Sequence, residues 1–172
     1  MIKPNRLSIS LATIAVLAVA TVEVRAHGNE HGEAKATIGS AKVVISYNRP
    51  SLKGRDLMKM IHPGDLWRLG ADIPTTIESD SDLDFGGTRV SKGKHILMAR
   101  YVAPGEWTLV VSSKDRIHYE PGAKLAEVPM EVQDGKDPTE ELSIQLSSKG
   151  GRGVVEIAWG GYRLVSTFAP AK

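Results

Sequence analysis

Arg49, Arg55, Trp67, Arg68, Asp72 and Thr75 fall within residues 47–76, the densest collection of chemically capable side chains in this sequence. Each guanidinium is a rigid, permanently charged fork that matches carboxylate, phosphate or sugar hydroxyls, and Trp67 adds a flat apolar face. Together they could form a small anionic or glycan site. Asp72 supplies a general-base option, which gives the competing enzymatic reading: a hydrolytic or metal-assisted site using Asp72 with His62, His95 or His118. A purely structural reading has Arg68 paired with Asp72 or Asp65 while Trp67 fills the core beneath the loop.

Other clusters carry weaker chemistry. His27 and His31 could chelate copper or nickel if chain cleavage frees the His27 α-amine, although the surrounding polar segment fixes no geometry. Asp80, Asp82 and Asp84 are spaced like the start of a calcium loop, but Phe85 and Ser91 stand where such a loop needs Gly and Glu. Their spacing of two fits the wet face of a strand. No G-x-S-x-G elbow, H-E-x-x-H pair or glycine-rich phosphate loop occurs.

The elements that must position these residues read as strands. Val43, Ile45 and Tyr47 alternate with Lys42, Val44 and Ser46; Leu142, Ile144 and Leu146 with Glu141, Ser143, Gln145 and Ser147; and Val155, Ile157 and Trp159 with Val154, Glu156 and Ala158. Further β runs are expected at residues 75–79, 82–85, 95–102, 107–112, 125–132 and 162–168. Gly86-Gly87, Pro104-Gly105, Pro121-Gly122, Gly135 with Pro138, and Gly150-Gly151 mark the reversals. The expected fold is all-β, an antiparallel β-sandwich, jelly-roll-like, with one short helix at residues 54–61. Residues 27–35 read as a flexible N-terminal segment and residues 36–172 as a single domain.

Residues 1–26 have the layout of a signal peptide: Lys3 and Arg6, an apolar run, then Val24-Arg25-Ala26 before the expected cleavage. That layout predicts a periplasmic or secreted protein, with no membrane association once the signal is removed. Of the 22 basic and 20 acidic side chains, three and one lie in residues 1–26, so 19 of each remain. A formally neutral chain has no net field to draw it onto nucleic acid. With no cysteine, disulfides and thiolate ligation are excluded, and stability rests on the core.

The motif region resembles the domain-of-unknown-function family 2911, an envelope-associated bacterial family. The resemblance rests on Tyr47-Asn48-Arg49-Pro50, Lys53-Gly54-Arg55, Trp67-Arg68-Leu69-Gly70-Ala71-Asp72 and Thr75-Thr76. It extends through Gly86-Gly87, Lys92-Gly93, Trp107-Thr108 and Ala158-Trp159-Gly160, and so covers most of residues 42–168. Three positions depart from the family pattern: His62-Pro63-Gly64 replaces Pro-Tyr-Gly, Asp72 replaces Asn, and His95 replaces Tyr. The resemblance implies a β-rich secreted domain without an established activity. The expected function is non-catalytic: recognition of a small polar or anionic ligand, or of an envelope component, through the 47–76 region. No cofactor is implied.

Overall fold

The computed structural model describes residues 28–172, apart from the side chains of residues 134–136; the expected signal and His27 lie outside the described residues. Ten strands follow in chain order: β1 (Glu30–Ile38), β2 (Ala41–Arg49), β3 (Leu66–Trp67), β4 (Thr76–Ser79), β5 (Leu83–Phe85), β6 (Thr88–Val90), β7 (Gly93–Ala103), β8 (Glu106–Ser112), β9 (Lys124–Lys149) and β10 (Arg152–Pro170). All pairings are antiparallel, in the order β1-β2-β4-β7-β8-β9-β10-β5-β6, with β3 beside β7. The all-β expectation is met. The strands form one large antiparallel sheet that does not close into a barrel.

Period-two alternation places one face of each strand on a common core. Val43, Ile45 and Tyr47 of β2, Leu97 and Ala99 of β7, Leu109 and Val111 of β8, and Val155 and Ile157 of β10 all belong to it. Phe85 and Phe168 stack at 5.1 Å where β5 meets the end of β10. The two Gly-Gly turns behave as the sequence indicates: Gly86 and Gly87, and Gly150 and Gly151, all have positive φ and close two-residue hairpins.

Three expectations need correction. Within the expected flexible lead-in of residues 27–35, residues 30–35 are ordered strand, because β1 starts at Glu30 and pairs along its whole length with β2. The Tyr47 ring occupies the space over Gly32, where a Cβ would come within 2.7 Å of it. Residues 54–61 contain a single 3-10 turn, Leu57–Lys59, capped by Asp56, in place of the expected helix; one turn followed by Pro63 is too short to propagate. Gly135 and Pro138 do not reverse the chain, which continues as β9; the extra residues of β9 between Asp134 and Ser143 are taken up as register shifts against β10 on either side of Gly160.

Candidate functional site

Residues 50–75 form a long excursion between β2 and β4, fastened at several points. Glu140 accepts bonds at 2.7 Å from both the Ser51 hydroxyl and the Lys53 backbone N–H, and these donors, Ser51 first, hold its carboxyl below the ordinary glutamate range. Arg55 donates from Nε to the Leu52 carbonyl and from Nη2 to the Ser51 carbonyl, folding back on its own turn. Further on, Gly64 N–H bonds the Tyr101 carbonyl and β3 pairs with β7, so Trp67 is opposite Ala99.

The chain then enters a strained corner. Leu69 has φ 54° and Asp72 has φ 62°; with Lys53 at 51° these are the non-glycine residues of positive φ among the described residues. For a buried, γ-branched leucine this conformation is unfavourable. It persists because the surroundings over-determine it: the Thr75 hydroxyl donates to the Leu69 carbonyl at 2.7 Å, and Gly70 sits where a Cβ would meet that hydroxyl at 2.8 Å. Strain of this kind tends to collect at functional sites.

The excursion walls an open cleft of about 830 Å³. Arg55, Trp67, Arg68 and Asp72 line it together, as the sequence reading grouped them. Arg49 does not. It lies at the end of β2, with Nε toward the Leu142 carbonyl at 3.4 Å and its guanidinium between Glu141 and Glu30. Thr75 does not line the cleft either; it is fully buried and serves the Leu69 corner.

Sequence reasoning missed Lys53, Arg100, Arg116, Tyr119 and Trp159, which complete the walls. Arg100 is held from three sides, donating to Glu127 at 3.0 Å, to the Tyr119 hydroxyl at 3.1 Å and to the Gly64 carbonyl at 3.3 Å. Burial pushes the Glu127 carboxyl up, but bonds from Lys124, Thr108 and Arg100 outweigh it and leave the group below its usual range. Trp67 stacks on Trp159 at 5.5 Å and meets Trp107 edge-on at 6.1 Å, making an aromatic floor. Three tryptophans far apart in sequence thus meet under one cleft.

The electrostatics are lopsided. Among the described residues, the Arg68, Arg116 and Lys53 side chains form no ion pair or hydrogen bond, although all three face the cleft. The expected Arg68 pairing with Asp65 or Asp72 does not form. Asp65 accepts the His62 backbone N–H, and Asp72 accepts from Asn29 at 2.9 Å and Asn48 at 3.5 Å. The Asn29 bond is the main reason the Asp72 carboxyl sits below the usual aspartate range.

That depression, and the absence of a histidine beside it among the described residues, speak against Asp72 as a base. His62 lies against Asp65, His95 against the Ser91 carbonyl, and His118 against Asp115. His31 is fixed in β1 opposite Asn48. No cluster of three metal-ligating side chains occurs among the described residues. The sequence model of one family, described as "Protein of unknown function (DUF2911)", matches residues 29–168. No curated protein and no solved structure matches the chain.

Proposed function

We propose, from the premise that the chain belongs to the DUF2911 family, that its domain is a non-catalytic receptor for a small anionic ligand, held in the tryptophan-floored cleft. The observation that carries this reading is the set of unpartnered cations, Arg68, Arg116 and Lys53, on the cleft wall. A guanidinium that forms no ion pair keeps its fork of donors open to an external anion. Arg68 and Arg116 are the primary contacts, Lys53 and Arg55 a second positive edge, and Asp72 a fixed wall braced by Asn29. The protein acts in the periplasm or outside the cell after loss of residues 1–26, which N-terminal sequencing of the exported protein tests by finding His27 first.

The binding test is a thermal-shift screen of the purified protein against phosphate, sulfate, small carboxylates, neutral sugars and divalent metals, with Arg68→Ala and Arg68→Ala/Arg116→Ala alongside. An anion at about 100 times its Kd is expected to add about 2.7 kcal/mol of stability, with the effect shrinking as salt rises. The variants are expected to melt like the parent but show no anion response. A response to none of the anions, or one unchanged in the double variant, overturns the reading.

A further inference from the structure

A second, smaller cavity of about 90 Å³ adjoins the cleft, and Arg68, Asp72 and Arg116 border both. Its remaining wall is largely apolar, with Pro74, Ile96, Met98 and Ile117. Met98 is fully buried yet points away from the main core: its β7 neighbours Leu97 and Ala99 belong to that core and Met98 does not. Residues 115–117 fold back over this outer face and carry Arg116 to the cleft. Ile117, on the same loop, leaves 77% of its surface in water. Ile73 and Met60, close to the cleft in chain or lining it, are the other exposed large apolar side chains on these loops.

Positive charge at the mouth and an apolar chamber behind it describe a complementary ligand. Resting on the receptor reading above, the geometry points to a carboxylate bearing a short alkyl chain: the head between Arg68 and Arg116, the chain in the side cavity against Ile96, Met98 and Ile117. Two carboxylates, Asp72 and Asp115, also border the chamber. Asp72 is engaged by Asn29, and Asp115 accepts the backbone N–H groups of Ile117 and His118. At about 30 Å³ for a water-sized group, the cavity holds about three carbons.

The experiment is an NMR titration of the purified protein with acetate, propionate, butyrate, pentanoate and hexanoate. Affinity is expected to rise about fourfold per added methylene, the factor corresponding to 0.8 kcal/mol, and to level off once about three carbons fill the chamber. Ile117→Ser and Ile96→Thr are expected to flatten the series while leaving acetate affinity unchanged. Equal affinity for acetate and butyrate, with binding still lost in Arg68→Ala, overturns the alkyl chamber and leaves the anion receptor standing. A chain-length gain that persists in both variants also overturns it, by placing the chain elsewhere. Failure of every carboxylate, together with phosphate and sulfate, removes both readings.

Discussion

Around the β5–β6 hairpin, the aspartates and Arg89 are matched to partners supplied by the fold. Asp82 accepts from Arg89 and from the Lys92 backbone N–H, both at 2.8 Å; Asp84 accepts from Gly87 N–H; Asp80 accepts from Lys42 N–H; and Arg89 also reaches the Lys172 carbonyl. Around the cleft, Arg68, Arg116 and Lys53 are left without such partners, and strained backbone at Lys53, Leu69 and Asp72 accompanies them. Both regions are loops or short strands at the edge of the same core. The difference teaches that charges serving the fold are satisfied by it, whereas charges it leaves open are those available to something outside it.

Acidification should test the satisfied side most broadly. Asp80 and Asp82 are lowered chiefly by the Lys42 and Lys92 backbone N–H groups, and Glu127 and Glu140 by the bonds described above. Their folded pKa values lie below the unfolded ones, so the stabilisation is complete above the unfolded values near ~4 and is lost as pH falls through the folded values. Melting temperature should therefore be nearly flat from neutral pH to about 5 and drop steeply below about 4. A melting temperature unaffected by acid would mean these carboxylates contribute little.

Arg100→Ala should cost about 2 kcal/mol in urea denaturation, because Glu127 stays half-sheltered with one charge partner fewer. Arg100→Lys should recover little, since a single ammonium cannot reach Glu127, Tyr119 and Gly64 together. Asp82→Ala, in the satisfied region, should lower the melting temperature by a few degrees without touching the anion response. Arg68→Ala should do the reverse, and equal behaviour of the two would erase the contrast.

The smallest effect separates strain from charge. Lys53→Gly relieves a left-handed lysine, gaining about 1–2 kcal/mol and giving back about 0.5–1 kcal/mol in chain entropy. Stability should rise by up to about 1.5 kcal/mol while anion affinity falls, and a urea midpoint set beside an anion titration reads both.

Much of the sheet was legible because alternation and turn chemistry are local. Val43 to Tyr47, Leu142 to Leu146 and Val155 to Trp159 lie where the pattern put them, and both Gly-Gly hairpins close as expected. β1 was hidden because its membership rests on backbone pairing: of its nine residues only Ala34 and Ile38 are buried. β9 and β10 looked interrupted because glycine and proline read as turns, whereas a long paired strand can take them up as irregularities.

The same divide runs through the candidate site. Sequence by itself determined the all-β class, the missing thiol chemistry and the grouping of Arg55, Trp67, Arg68 and Asp72, since one continuous segment carries all four. Only the tertiary structure decided that Arg49 turns to Glu141, that Thr75 braces Leu69, and that Arg100, Arg116, Tyr119 and Trp159 join the cleft. Those neighbours come from β7, β10 and the segment between β8 and β9. Strand register and loop packing bring them together, and pairing between distant segments leaves no periodicity in the chain from which it could be read.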